Sequence, residues 1–532
     1  MEWVSSTRAP TPSNRPSDEP PNPALTGGAG SLARVISRRN LLAGAATGSA
    51  LLVVGCAVEP PGPREPLPPG ATETPRLDPN RHHVLTRTPS ADTVVGAGPD
   101  GALAASRALL AMSTAVVVVG GDGPHDAAAS LAGELGIPAF ADSPELGAEL
   151  DRLQTRTVIA FGTPEHVAGR EVVPAPETAA ELDLPGLPAE VGPPPVLAVH
   201  TDALDPLVNA TLRAANLQPA LEADHPGMSA ESTARVKAHE GPLLGIGEGF
   251  GTDERFAAQV RATRTHPELP GGGIVPFPIH HMIALYGHPE TAALGMMGEQ
   301  PPAAAVERLN KLLDEYRAHM PDQTVMGSFE IIATVASAQA GDDGDYSYET
   351  PISVLMPWIE AAEANDIYVV LDLQPGRTDF LTQAKRYEEL LRRPYVGLAL
   401  DPEWRLKPNQ RHLRQIGQVH VDEVNEVGAW LADLVTEHNL PPKVLTLHQF
   451  QTRMILERER LDTSRPEVQY LVHVDGQGAQ GAKQATWKVI QRDLPANTYL
   501  GWKNFEDEDI PMLTPKQTVE QVHPTPHFVS YQ

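Results

Sequence analysis

Cysteine is almost missing from this chain: Cys56 is the one thiol in 532 residues. A single thiol excludes an internal disulfide and a cysteine-rich metal site. Positive charge is also short, with 41 Lys and Arg against 68 Asp and Glu and a formal net charge of −27. Phosphate binding needs a dense basic surface, so nucleic acid is excluded as a partner. Polyanionic wall polymers are repelled for the same reason unless a local basic groove or divalent ions intervene. Beyond residue 90 no segment is long and apolar enough to span a bilayer. What the chain does have is length and proline. Its 532 residues exceed one ordinary core, so two or three domains are expected. A hydrophobic share of 41% and a charged share of 20% are those of globular domains, and 53 prolines need a place.

A lone Cys is ordinarily a small buried apolar residue. Here its neighbours point elsewhere. Ser37-Arg38-Arg39-Asn40-Leu41-Leu42 precedes an uncharged stretch over 43–54 and then Gly55-Cys56. A charged region, an apolar region and a small residue before a cleavage point compose a signal peptide, and paired arginines mark twin-arginine export. Val53-Val54-Gly55-Cys56 resembles a bacterial lipobox. That resemblance implies that Cys56 is diacylated, becomes the mature N-terminus and fixes the protein to the extracytoplasmic face of the cell membrane. Two acyl chains anchor stably, since each buried CH₂ contributes about 0.8 kcal/mol. A transmembrane helix over 40–58 fits less well, because the run is rich in Gly, Ala, Ser and Thr and ends in Glu59-Pro60-Pro61. Residues 1–56 are thus read as a Pro/Ser-rich leader and signal. Residues 57–90, with Pro60-Pro61, Pro63, Pro66, Pro68-Pro69 and Pro75, are read as a semi-rigid tether.

Between 91 and 270 short β-branched runs (115–119, 157–161, 196–200, 243–246) alternate with amphipathic stretches such as 126–135 and 206–215. Alternation of this kind predicts a parallel, Rossmann-like α/β sheet. The segment reads as duplicated: a strand, a helix and a strand ending in Phe161-Gly162-Thr163 recur with an end at Ile246-Gly247-Glu248. Val116-Val117-Val118-Val119-Gly120-Gly121-Asp122, the helix at Asp126-Ala127-Ala128, and Val158-Ile159-Ala160-Phe161-Gly162-Thr163 resemble the cell-wall-binding repeat 2 family. That family's Arg/Tyr/Thr/Ala opening motif is missing here. The resemblance implies attachment to cell-wall polysaccharide. Gly120-Gly121-Asp122-Gly123 follows a strand as a phosphate-binding turn would, but it lacks the dinucleotide fingerprint and reads better as a plain turn.

Leu269-Pro270-Gly271-Gly272-Gly273 marks a boundary. From 271 to 532 eight strand-like runs follow, at 282–286, 328–334, 367–372, 395–401, 443–449, 468–474, 498–502 and 527–531. Each except the last is followed by a helix-like run, among them 303–318, 352–364, 380–391, 421–438 and 482–492. Eight such units over this length predict a (β/α)8 TIM barrel, with function at the carboxyl ends of its strands.

Those ends are rich in polar residues. Tyr286 and His288 follow strand one, Asp372 and Gln374 strand three, Asp401, Glu403 and Trp404 strand four, His448 and Gln449 strand five, Asp475 strand six and Lys503 strand seven. Strand two carries Glu330. Paired carboxylates, one protonated and one ionised, are the requirement of glycoside hydrolysis. The Asp-x-Glu at Asp401–Glu403 resembles the strand-four pattern of barrel muramidases of glycoside hydrolase family 25. Chitinase-like family 18 is a poorer comparison, since Val396-Gly397-Leu398-Ala399 replaces its upstream aspartates. These resemblances imply Glu403 as acid, with Asp401 as nucleophile or stabiliser and Asp372 and Asp475 in support. Asp401 and Asp475 also resemble the carboxylates that α-galactosidase-like barrels place after strands four and six. Tyr286, His288, Gln374, Trp404, His448, Gln449 and Lys503 are the expected substrate contacts, and the aromatic residues Phe450, Trp502 and Phe505 would also suit stacking on sugars.

The bland alternative is that each acid caps a helix or pairs with Arg377, Arg405 or Lys503. A metal-dependent hydrolase is a further alternative, with His448, His473 and Asp475 as ligand types. Amidohydrolase-like barrels need His-x-His on strand one, whereas His280 and His281 are adjacent and face opposite sides. Asp342-Asp343-Gly344-Asp345 lacks the spacing of a calcium loop. The expectation is therefore a lipid-anchored envelope protein with no cofactor and no metal, which binds cell-wall polysaccharide and hydrolyses it. The alternative from another class is a catalytically silent wall- or partner-binding lipoprotein.

Overall fold

The computed structural model describes residues 77–532 except Asp202 and Ala220. The twin-arginine pair, the lipobox with Cys56 and the proline tether up to residue 76 lie outside the described residues. Among those described, no helix is long and apolar enough to cross a membrane.

Residues 84–86 fall inside the stretch expected to be a tether, yet Val84–Thr86 pairs antiparallel with Leu110–Ser113. Leu77 to Thr93 is therefore partly integrated into the first folded layer, and Val84 is buried there. Past it stand two four-stranded parallel sheets of identical order. In the first, Ala139–Ala141, Ala115–Val119, Thr157–Phe161 and Glu171–Pro174 are neighbours. In the second, Leu221–Glu222, Leu197–His200, Leu243–Ile246 and Thr93–Val95 take the same places. The duplication read from sequence is thus a repeated β-α-β-α-β unit, with one difference. The second unit borrows its outer strand from Thr93–Val95, ahead of the first unit in the chain. The glycine closing each third strand is in a conformation that favours glycine, with φ of 78° at Gly162 and 130° at Gly247. Ala115–Val119 is buried at every position, as expected for a central parallel strand covered on both faces. The Gly120 loop is explained by packing: a Cβ there would lie 2.6 Å from the carbonyl carbon of Thr163.

The second body is a closed barrel of eight parallel strands: His280–Gly287, Thr324–Ala336, Tyr368–Leu373, Val396–Leu400, Lys443–His448, Val468–Val474, Thr498–Asn504 and Phe528–Tyr531. The first strand pairs with both the second and the last, which closes the ring. All eight expected strands are present. Side chains alternate along each, so Ile283, Leu285, Leu371, Leu398 and Leu445 meet the helices, while Met282, Met326, Tyr368, Val370, Val444 and Phe528 fill the interior. Gly397 is required by that filling, since a Cβ there would come 2.6 Å from the Val444 carbonyl oxygen and 2.9 Å from the Tyr368 hydroxyl.

The helices begin where sequence signals place them. Pro302 opens Pro302–His319, the Asp379 carboxylate accepts from the Thr382 amide at 2.8 Å, and Asn439 ends Val421–His438 with φ of 52°. One expected element is absent. Between strands five and six the chain makes the short turns Thr452–Met454 and Arg458–Arg460 and the two-residue strand Ile455–Leu456 rather than an α-helix. Glu457 adopts φ of 57° and Pro466 precedes strand six, so no uninterrupted amphipathic run is available there.

The α/β module meets the barrel at the amino-terminal ends of its strands. Arg255 donates from Nε and Nη2 to Glu467 at 2.6 and 2.9 Å, just ahead of strand six, and Arg261 Nε donates to Asn439 Oδ1 at 2.7 Å. Among the described residues, the polar residues gather at the opposite end of the strands from these contacts.

Candidate functional site

Period-two alternation carries the inward face of each strand from apolar to ionisable as it approaches the carboxyl end. Strand three runs Tyr368, Val370, Asp372; strand four Gly397, Ala399, Asp401; strand five Val444, Thr446, His448; strand six Leu471, His473, Asp475. Strand two runs Met326, Ser328, Glu330. Glu330, Asp372, His448 and His473 have no exposed surface, and Asp401 and Asp475 are also buried.

These groups form one network. The Tyr286 hydroxyl donates to Asp372 Oδ2 at 2.8 Å, and Gln374 Nε2 lies 3.4 Å from that hydroxyl. Lys503 Nζ sits 3.4 Å from the centre of the Tyr286 ring. His448 Nδ1 lies 3.0 Å from Asp475 Oδ2, while its Nε2 lies 3.0 Å from Glu330 Oε1 and 3.8 Å from Asp372 Oδ1. His473 Nδ1 lies 3.3 Å from Glu330 Oε1, and its Nε2 lies 3.1 Å from Ser530 Oγ.

Burial and mutual charge separate the acids. Burial pushes the Asp401 carboxyl well above the usual range, and neighbouring Asp372 and Glu403 add to the shift. Asp372 is raised to about 6 by burial, against the pull of His448. Glu403 is raised to about 7 by burial and by the charge of Asp475. Burial also acts to raise Glu330 and Asp475, but facing histidines outweigh it and hold both below their ordinary values. His448 is held well above its ordinary value by Asp372 and Glu330 despite burial, whereas burial lowers His473. Acids with separated proton affinities in one pocket are the arrangement that acid–base chemistry uses.

Glu403 differs from the others in access. It is half-buried and, with Trp404, His412, Arg414 and Arg453, lines a cavity of about 390 Å³. Asp401 holds it in place: its Oδ1 accepts from the Glu403 amide at 3.2 Å and caps the short turn Pro402–Trp404. So one of the four expected acids does carry the capping role. The arginines offered as neutralising partners are elsewhere. Arg405 pairs with Glu423 at 3.0 Å, and Arg377 stacks on Tyr346 at 4.4 Å.

The remaining expected contacts divide. Tyr286, Gln374, His448 and Lys503 belong to the network, and Trp404 to the cavity. His288 is buried against Thr350 Oγ1 at 3.0 Å, and Gln449 accepts from Arg458 Nη1 at 2.6 Å, so both serve loop structure. Trp502 faces outward and packs edge-on against Trp487 at 5.6 Å. Asp345 accepts from Ser347 and Thr378, at 2.8 and 2.9 Å, so the acidic loop is organised by its own hydrogen bonds. His280 and His281 bond to backbone carbonyls at the opposite end of strand one.

Glu330 is visible on strand two in the sequence, but its position there gives it no role among the strand-end residues. It lies mid-strand, and its signal is a charge on the inward face shared with Met326 and Ser328. Glu330, His448 and His473 present ligand-type atoms that all lie within 4.8 Å of one another. No protein-family model matches the chain, and no curated protein matches it.

Proposed function

We propose that the protein is a lipid-anchored cell-envelope hydrolase that cleaves a glycosidic bond in an anionic envelope polysaccharide at the barrel mouth. The observation that carries this reading is Glu403, a carboxyl raised to about 7 that lines an accessible cavity. A carboxyl with that proton affinity keeps about half of its acid form at neutral pH and most of it below, as a general acid must. Trp404 supplies a ring face for a sugar, and Arg414 and Arg453 give an otherwise acidic protein the local positive charge that an anionic polymer needs.

In this scheme Glu403 gives its proton to the leaving glycosidic oxygen as the C–O bond breaks. Water supplies the hydroxyl at the anomeric carbon, and its proton goes to a carboxylate of the network. Asp475 fits that second role, since its Oδ1 has no hydrogen bond. Asp401, buried and engaged as a cap, is a positioning residue in place of the nucleophile first expected. The lipobox and tether keep the enzyme at the membrane surface within reach of wall polymer, and the α/β module is the wall-binding part.

Zymography in gels containing purified wall tests the scheme. Wild type clears the gel, Glu403→Gln does not, and Asp401→Asn does, because Asn caps a turn as Asp does. Absence of clearing by wild type, or clearing by Glu403→Gln, rejects it.

A further inference from the structure

Among the buried polar atoms of the barrel interior that have no hydrogen bond, five belong to one cluster: both carboxylate oxygens of Glu330, His448 Nε2, His473 Nδ1 and Asp372 Oδ1. Their residues are fully buried. Each such atom left unsatisfied costs about 1–3 kcal/mol, so five together need a common partner. The atoms face one another. Glu330 Oε1 is 3.0 Å from His448 Nε2 and 3.3 Å from His473 Nδ1, and Asp372 Oδ1 is 3.8 Å from His448 Nε2.

We propose that Glu330, His448 and His473, with Asp372 as fourth donor, bind a divalent transition-metal ion of the zinc class. Donors about 2.0–2.1 Å from a tetrahedral ion stand about 3.3 Å from one another, close to the separations seen here. Two imidazoles and two carboxylates suit zinc-like ions, whereas calcium and magnesium take oxygen donors. The surroundings complete the pattern. Each histidine has its other ring nitrogen tied down, His448 by Asp475 at 3.0 Å and His473 by Ser530 at 3.1 Å, which aims the free nitrogens at the cluster. Asp372 is likewise held through Oδ2 by Tyr286 at 2.8 Å, which leaves Oδ1 to the cluster. Charge agrees as well. Glu330, Asp372 and Asp475 are three buried carboxyl groups, and among the described residues Lys503 is the cation beside them, since the two histidines are neutral as ligands. Excess buried negative charge is costly unless a cation compensates it. Asp475, a ligand type by sequence, is instead the residue that orients a ligand.

Glu403, the acid of the hydrolase reading, is not among the donors, whereas Asp475 serves both readings, as base there and as the partner that orients His448 here. The full chain, purified in detergent and stripped with a chelator, is titrated with Co²⁺ and then Zn²⁺. The expected result is about one ion per chain, visible ligand-field bands of a tetrahedral Co²⁺ site, and a melting temperature that rises with free metal. Glu330→Gln loses the bands, Ser530→Ala weakens binding about 10–100-fold, and Glu403→Gln loads as wild type does. If Glu330→Gln does not fold, wild type and Ser530→Ala decide. Stripped wild type that stays folded, takes up no ion and melts at the same temperature with and without metal overturns the proposal. A bound ion without wall cleavage removes the hydrolase reading alone; cleavage by a protein that takes up no ion removes the metal site alone.

Discussion

His448 donates from Nδ1 to Asp475 Oδ2 at 3.0 Å, and this bond fixes which ring nitrogen turns toward Glu330. An ionised carboxylate only accepts, so the proton belongs on Nδ1. The pair joins strands five and six in the centre of the barrel. Asp475→Ala leaves a buried imidazole without its partner and is expected to cost about 3–5 kcal/mol of stability. Urea denaturation with unchanged slope checks this; a loss under about 1 kcal/mol contradicts it.

The raised Glu403 gives two pH signatures. Wall hydrolysis requires its acid form, so the rate falls as pH rises through about 7. Stability follows the same direction. The folded-state value, about 7, lies above the ordinary 4.5, so the stabilisation it brings is complete below about pH 4.5 and is lost as pH rises through about 7. Glu403→Gln removes that slope. Urea melts of both proteins across this window test it, and parallel curves contradict the assignment.

Trp404 lies on the cavity wall, half-buried, with its ring 5.3 Å from that of His412. As a stacking surface for sugar it contributes to ground-state and transition-state binding alike. Trp404→Ala is expected to raise KM about threefold to tenfold with kcat little changed. A fall in kcat at constant KM points to a different role.

Glu467 is buried where module meets barrel, holding Arg255 through both oxygens and Arg465 at 3.1 Å. Arg255→Ala removes the bidentate partner and is expected to cost about 3 kcal/mol, seen as a lower melting temperature. The site at the far end of the barrel is untouched, so wall hydrolysis per folded molecule is unchanged.

Much of the fold was legible because two periods dominate it. Eight strand-like runs, most of them followed by amphipathic ones, point to a parallel barrel, and the paired Phe161-Gly162 and Ile246-Gly247 ends revealed the duplication. What the sequence concealed depends on pairing across the barrel. Glu330 and His473 meet because tilted strands bring the middle of strand two level with the ends of five and six, a relation no single strand displays. The division of labour at Asp401-Pro402-Glu403 was hidden for a similar reason. The turn Pro402–Trp404 sends Asp401 inward as a cap and leaves Glu403 at the cavity, while the Asp-x-Glu resemblance pairs the two as nucleophile or stabiliser and acid.

The most direct test of the hydrolase reading is release of reducing ends from purified envelope polysaccharide at pH 6 and about 25 °C, comparing wild type with Glu403→Gln. The expected result is release by wild type and a drop of about 10²–10⁴-fold in the variant, with its fold intact by circular dichroism. Equal release by both proteins, or none by wild type, contradicts it.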